Sequence, residues 1–162
     1  MNYELCEYLG FGGFGDVVVR SYAEWQKHFG LSPETEMEAG EELMMKEIFG
    51  STMITDFPEM TSPFWNMARN ADGTSRKIDV ILGGMETIGS AERSTNVDQM
   101  RDTFHTITDG AYSNLLFELF GKDRVEAELE EFLKFHFFPR VGGGIGMTRM
   151  IAALDTQMPL AA

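Results

Sequence analysis

The sequence has one cysteine, Cys6, so it cannot form an internal disulfide bond. It has three histidines, and they are too scattered to show the spacing of a zinc site: His28, His105 and His136. It also lacks a signal-peptide pattern and any apolar run long enough to span a membrane. We therefore expect a cytoplasmic protein without a membrane partner, in which Cys6 fills part of the core.

Basic residues are scarce, with 13 Lys and Arg against 26 Asp and Glu, and the net charge is −13. A chain this acidic repels polyanions, so free-standing nucleic-acid binding is disfavoured. Two common nucleotide motifs are also missing. No Gly-Lys is followed by Ser or Thr, and Met147 stands where a dinucleotide fingerprint needs its third glycine.

The chain has 162 residues, 43% of them hydrophobic, which suits a single domain spanning 1–162. A short amphipathic helix is expected at 3–9, and strands are expected at 17–19, 51–58, 63–68, 77–82, 85–93 and 137–146. The short links after residue 51 favour an antiparallel β-sheet, with helices from about 96 to 136 as its cover and a last helix after 146. The pattern predicts an α+β fold.

Capping residues locate the helix ends. Ser21 and Glu24 form a capping box for a helix that stops near Gly30. Ser32-Pro33 is expected to begin the next helix, with Glu34, Glu36 and Glu38 in its early turns and three residues turned inward: Leu43, Met44 and Ile48. Further caps are expected at Asn96, Asp109 and Asp123, with Gly121 ending a helix.

The stretch GGGIGMTR, residues 142–149, is the clearest candidate for a binding site. Its glycines at 142, 144 and 146 follow the strand period of two, so one face is bare and a flat ring can lie against the backbone. The following helix would carry Arg149 in an early turn, with its planar guanidinium aimed at a bound phosphate. The alternative interpretation is a tight strand-to-helix junction packed against another element.

Asp79 and Glu86 have the second informative spacing. If the chain turns around Leu82-Gly83, or one residue to either side, the two carboxylates lie opposite each other on paired strands. Repulsion between them would be relieved by Mg²⁺, which binds oxygen ligands and shares its coordination with phosphates. The alternative is that one carboxylate points into solvent or is bridged by Lys77 or Arg76.

Arg93 lies seven residues after Glu86, at the end of the same expected strand. An odd offset places it on the opposite face unless a bulge or the strand end redirects it. A guanidinium near an acidic pocket is suited to bind a small carboxylate through two hydrogen bonds. The alternative is a surface arginine paired with Glu92 or Asp98.

Three segments in this order resemble the catalytic core of class II aspartyl- and asparaginyl-tRNA synthetases: DFPEMTSPFWNM (56–67), IDVILGGMETIGSAERS (78–94) and FFPRVGGGIGMTRMI (137–151). The resemblance covers nearly all of the chain from about Val17 and is strongest to asparagine synthetase-related paralogues of archaeal type. Thr148 stands where synthetases usually have Glu, and this favours the ammonia-dependent asparagine synthetases.

The resemblance implies a role for each candidate residue. The glycines Gly142, Gly144 and Gly146 would line the adenine site, and Arg149 would stack on adenine and meet the γ-phosphate. Asp79 and Glu86 would hold the Mg²⁺ that bridges the ATP phosphates. Arg93 and Ser90 would bind aspartate, and Arg93 and Arg149 would be the catalytic residues.

The implied reaction is that of an asparagine synthetase. Aspartate and ATP form an aspartyl adenylate and pyrophosphate, and ammonia converts the adenylate to asparagine. Motifs 1 and 2 of the family are not found before the matching segments, so we expect a C-terminal part of the core, working as a homodimer or with a partner chain that supplies the rest. The alternatives are a catalytically inactive module that binds a nucleotide or an amino acid, and a tRNA synthetase fragment.

Overall fold

The computed structural model describes residues 2–157. It contains five strands: β1 (Val18–Ser21), β2 (Thr52–Phe57), β3 (Ser75–Leu82), β4 (Met85–Arg93) and β5 (Arg140–Ile145). Its α-helices are α1 (Asn2–Tyr8), α2 (Tyr22–Phe29), α3 (Ala39–Phe49), α4 (Val97–Thr106), α5 (Ala111–Phe120), α6 (Lys122–Leu133) and α7 (Met147–Gln157). Short 3₁₀ turns follow β2 and α4, at Glu59–Thr61 and Ile107–Gly110.

The strands form one sheet in the order β1-β2-β3-β4-β5. The first pair is parallel, with Val18 opposite Thr52, because α2 and α3 carry the chain back between the two strands. The rest of the sheet is mostly antiparallel, so the predicted α+β fold is confirmed. The β3–β4 hairpin turns at Gly83 and Gly84, whose φ angles of 64° and 83° are suited to a tight two-residue turn.

The described residues divide into two compact units. The first comprises residues up to Phe57, together with Lys77–Ser90 and the chain from Gly143 onward. Its core joins α1, the sheet and α7 through buried apolar side chains that include Cys6, Val80, Leu82, Met150 and Ala153. The expectation that Cys6 fills the core is confirmed, since its side chain is fully buried.

The second unit comprises Pro58–Arg76 and Ala91–Gly142. Its core is built around Trp65, whose ring meets Phe104 and Phe132 edge to face at 5.5 Å and 5.7 Å. Helices α4, α5 and α6 pack on one another here, and Met100 and Leu129 complete the core. No helix within residues 2–157 combines the length and the apolar character needed to cross a bilayer.

Several expected helix boundaries are confirmed. Ser21 and Glu24 form the predicted capping box, and Gly30 ends α2 in the left-handed conformation. Asn96 caps α4 by accepting a hydrogen bond from the backbone N–H of Gln99. Gly121 ends α5.

The predicted start of the next helix at Ser32-Pro33 is wrong, because α3 begins only at Ala39. The side-chain amide of Gln26 is buried and donates to the carbonyls of Ser32, Pro33 and Thr35. These carbonyls are thereby held in an irregular segment instead of accepting helical bonds. The three glutamates expected in the early turns, Glu34, Glu36 and Glu38, therefore precede α3.

Other local expectations are also wrong. Met45 is the buried residue of α3, while the three side chains expected to turn inward are partly exposed: Leu43, Met44 and Ile48. The segment 63–68 forms only an isolated bridge at Met67, and Val19 is exposed on β1. Asp109 and Asp123 do not cap helices, because the N-cap residues of α5 and α6 are glycines, Gly110 and Gly121.

Candidate functional site

The glycine segment forms the predicted strand and the start of the predicted helix. Strand β5 ends at Ile145, Gly146 follows, and α7 begins at Met147. A cavity of about 410 Å³ opens beside this junction within the first unit, a volume in the range of small-molecule sites. Its lining consists of Glu86, Thr87, Gly89, Gly144, Ile145, Gly146 and Arg149. Gly144 has open space above it, so its bare face is available to a ligand.

Arg149 lies in the first turn of α7, as predicted. Its guanidinium donates a hydrogen bond to the backbone carbonyl of Glu86 over 2.8 Å, and it lies 3.7 Å from the Glu86 carboxylate. The side chain is still 55% exposed and lines the cavity, so the N–H donors that do not bind the Glu86 carbonyl have room for a ligand. Arg149 therefore combines a fixed position with free capacity for an anion.

Asp79 is buried on β3, and its two carboxylate oxygens have different surroundings. Oδ2 accepts a hydrogen bond from the ammonium of Lys77 over 2.5 Å, whereas Oδ1 has no hydrogen-bond partner among the described residues. Burial raises the pKa of Asp79 to about 6, against the opposing effect of Lys77 and with a smaller contribution from Glu86 and Glu42. The predicted bridge from Lys77 is thus present, but it occupies only one of the two oxygens.

Glu86 on β4 and Asp79 on β3 bring their carboxylates to one place, beside Gly89. A Cβ at Gly89 would lie 2.9 Å from Glu86 Oε1 and 3.4 Å from Asp79 Oδ1. Strand β4 buries the adjacent residues Thr87 and Ile88, which breaks its alternation between the two faces. The two carboxylates therefore converge above Gly89, where the absence of a Cβ leaves room for them.

Glu42 is a third carboxylate at this site, and no pattern in the sequence identified it. It projects from α3 and accepts a hydrogen bond from the backbone N–H of Glu86 over 3.0 Å. Burial raises the pKa of Glu42, the hydrogen bond from the Glu86 backbone N–H partly opposes this, and the negative charge of Glu86 adds to the increase. Because Glu42 and Glu86 are far apart in sequence, only the packing of α3 on the hairpin could reveal the contact.

Gly143 is a second residue that the sequence analysis missed. A Cβ at this position would lie 2.6 Å from the carbonyl oxygen of Gly89 and 2.8 Å from Cβ of Ser90, closer than atoms can pack. The alternation rule singled out glycines 142, 144 and 146 as the functional set. The glycine that the packing of β5 on β4 requires is Gly143, which lies between Gly142 and Gly144.

Four predicted site residues are not among the residues that line the cavity: Asp79, Ser90, Arg93 and Gly142. Arg93 and Gly142 belong to the second unit, where the guanidinium donates to the carbonyl of Gly142 and to Asn66 Oδ1. Neither Glu92 nor Asp98 is its partner, since these pair with Arg76 and Arg101. Ser90 is buried in the first unit and donates to the carbonyl of Ile78.

Mg²⁺ is the metal that the expected chemistry implies, and the donor set fits it in part. Within residues 2–157, no group of three or more His, Cys, Asp or Glu side chains is arranged to hold a metal ion. Mg²⁺ commonly binds one or two protein carboxylates and takes its other ligands from water and phosphate. The unpartnered Asp79 Oδ1 and the adjacent Glu86 carboxylate supply such a pair.

The family model of class II tRNA synthetases (D, K and N) matches residues 17–158, which is most of the chain. The chain belongs to the class II tRNA synthetases. No curated protein matches it significantly. The family name agrees with the resemblance carried by the three sequence segments.

Solved structures show the class II synthetase fold for this chain. It is similar to the aspartyl-tRNA synthetase of Entamoeba histolytica, with a TM-score of 0.64 and 15% identity over 88% of this chain and 30% of that one. It is also similar to asparaginyl-tRNA synthetases of Pyrococcus horikoshii (TM-score 0.64, 19% identity, 86% and 33% covered) and of E. histolytica with asparaginyl-adenylate (TM-score 0.67, 17% identity, 87% and 33% covered). The chain spans about a third of the length of these class II synthetases.

Proposed function

We propose that this chain is the ATP-binding part of an adenylate-forming ligase that acts on aspartate and ammonia in the cytoplasm. The observation that carries the proposal is the convergence of the unpartnered Asp79 Oδ1 and the Glu86 carboxylate above Gly89, beside a glycine-lined cavity that also contains Arg149. Membership of a family of ATP-dependent synthetases supports the nucleotide.

The binding step follows from the chemistry of the cavity. The bare backbone at Gly144 and Gly146 would admit the flat face of adenine, and the exposed donors of Arg149 would hold phosphate oxygens. Asp79 and Glu86 would hold Mg²⁺, which supplies neutralisation of phosphate charge when bound. The protein's contribution is therefore positioning and charge compensation rather than a nucleophilic side chain.

In the proposed reaction, a β-carboxylate oxygen of aspartate attacks the α-phosphorus of ATP and displaces pyrophosphate. Ammonia then attacks the activated carbonyl carbon, loses a proton to solvent and expels AMP, which leaves asparagine. Arg93 and Ser90 are proposed to bind aspartate on the basis of the sequence resemblance. The effect of Arg93→Ala on the KM for aspartate tests that assignment separately.

A second candidate is a module that binds ATP without turnover. The ion pair between Lys77 and Asp79 favours it, because the ammonium already satisfies one of the two oxygens expected to face the metal. A third outcome is transfer of the activated amino acid to tRNA, the reaction named by the relatives' family. A homodimer or a second chain remains the proposed setting in each case.

Exchange of labelled pyrophosphate into ATP separates these candidates. With Mg²⁺, the proposal expects exchange that depends on aspartate, and formation of AMP and asparagine once ammonia is added. The Arg149→Ala variant, prepared in the same way, should lose the activity, and activity that survives in it would indicate a contaminating host synthetase. Binding of ATP without exchange would reject the ligase in favour of the module, and acceptance by tRNA instead of ammonia would reject the asparagine product.

A further inference from the structure

Lys77 is a charged residue at this site that the proposed reaction does not use. It lies two residues before Asp79 on β3, so the two side chains share one face of the strand. Its ammonium lies against Asp79 Oδ2 and 4.1 Å from the centre of the Phe57 ring. The side chain is only 24% exposed. Lys77 is therefore a fixed internal cation rather than a mobile surface lysine.

The position of this cation matters because of what lies on the other side of Asp79. Oδ1 is buried, has no hydrogen-bond partner within residues 2–157, and converges with the Glu86 carboxylate above Gly89. A divalent ion between these oxygens would share Asp79 with the Lys77 ammonium. Two cations held by one carboxylate repel each other strongly at the effective dielectric of about 20 found in such sites.

The charges around the pair determine how far that repulsion is offset. Glu42, Asp79 and Glu86 carry three negative charges when ionised, and Lys77 and Arg149 carry two positive charges. The protein alone thus leaves little net negative charge for a divalent ion. The phosphates of a nucleotide would add the missing negative charge.

We propose that Lys77 keeps free divalent metal out of the Asp79–Glu86 pair, so that metal enters only together with a polyphosphate. This inference rests on the proposed function in one respect, namely that the pair is the metal-binding site. It assigns to Lys77 a role in selecting the metal–nucleotide complex over the free ion. The substrate class is a nucleoside triphosphate in its metal-bound form.

The test measures binding of Mn²⁺, a spectroscopic substitute for Mg²⁺, to the whole chain without nucleotide. Free Mn²⁺ is followed by electron paramagnetic resonance in wild type, Lys77→Met, Lys77→Gln and Lys77→Arg. Removal of the charge in the Met and Gln variants is expected to tighten Mn²⁺ binding by about tenfold or more, because the repulsion is lost. Lys77→Arg keeps the charge and should bind Mn²⁺ as weakly as wild type.

A second variant localises the effect. Adding Asp79→Asn to Lys77→Met should abolish the gain, and a gain that persists would place the metal elsewhere and overturn the proposal. Unchanged or weaker Mn²⁺ binding in both Lys77→Met and Lys77→Gln would overturn it as well. Lys77→Gln retains a hydrogen-bond donor beside Asp79. It therefore keeps the test possible if Lys77→Met does not fold.

Thermal unfolding provides a readout that does not depend on activity. Because a ligand that binds only the folded state raises Tm, Mn²⁺ should stabilise Lys77→Gln more than wild type. If wild type fails to bind Mg·ATP while the Lys77 variants gain Mn²⁺, the proposed function and the joint entry of metal with a polyphosphate both fail, and the exclusion of free metal by Lys77 stands. If Mg·ATP binds and the variants gain nothing, the proposed function stands and this inference fails.

Discussion

Asp79 is a carboxylate in surroundings that disfavour its charge. Burial raises its pKa to about 6, and the ion pair with Lys77 only partly opposes this. The folded state therefore binds the proton more tightly than the unfolded state does. The stabilising contribution of Asp79 is complete below its unfolded pKa and is lost as the pH rises through about 6.

The pH dependence of stability tests this assignment. The free energy of unfolding of wild type, minus that of Asp79→Asn, is expected to fall by about 2 kcal/mol between about pH 4 and about pH 7 in the presence of a chelator. Denaturant titrations at several pH values measure it. Glu47→Gln, which removes a carboxylate at an exposed residue of α3, serves as the matched control. A flat difference for Asp79 would contradict the assignment.

At the level of single residues, the sequence predicted the chemical groups better than their contacts. The spacing of Asp79 and Glu86 identified two carboxylates that converge, and the helix start after Gly146 identified the position of Arg149. The contacts of Glu42 with Glu86 depend on how α3 docks. No local pattern encodes such a contact.

Among the elements, β5 makes the strictest demand on its residues. A Cβ at Gly143 would approach the Gly89 carbonyl to 2.6 Å, whereas one at Gly144 would meet no atom of the described residues within 4 Å. We expect Gly143→Ala to lower the free energy of unfolding by about 1–3 kcal/mol or more, because strand β5 must move away from β4. Gly144→Ala should change it by less than about 1 kcal/mol.

Chemical denaturation of the two variants provides the comparison. Both changes add one methyl group to the same strand, so their difference isolates the packing against β4. Equal stability of Gly143→Ala and Gly144→Ala would show that β5 does not lie as closely on β4 as the distances indicate.

The elements were predicted most accurately where capping residues and turns act locally. The capping box at Ser21 and the glycine turn at 83–84 depend on neighbouring residues alone, and both regions form as expected. The helix expected to begin at Ser32 does not begin there, because the Gln26 side chain on the preceding helix donates hydrogen bonds to three backbone carbonyls of that segment. A contact from another element outweighed a good local start signal.

For the molecule as a whole, the order of the three family segments predicted the fold more surely than periodicity did. The α+β class and the family are confirmed by the sheet and by the match over residues 17–158. Periodicity did not predict the parallel pairing of β1 with β2. That pairing depends on the return of the chain through α2 and α3, which the pattern within a strand does not encode. The roles of the candidate site residues stay predictions.

Isothermal titration calorimetry with ATP and Mg²⁺ tests the central claim, which is that one cavity of this chain binds the magnesium–nucleotide complex. Wild type should bind, Arg149→Ala should bind ATP at least about tenfold more weakly, and Asp79→Asn and Glu86→Gln should lose most of the Mg²⁺ dependence. Glu47→Gln should bind as wild type does. Undiminished, Mg²⁺-dependent affinity in all three site variants would contradict the account.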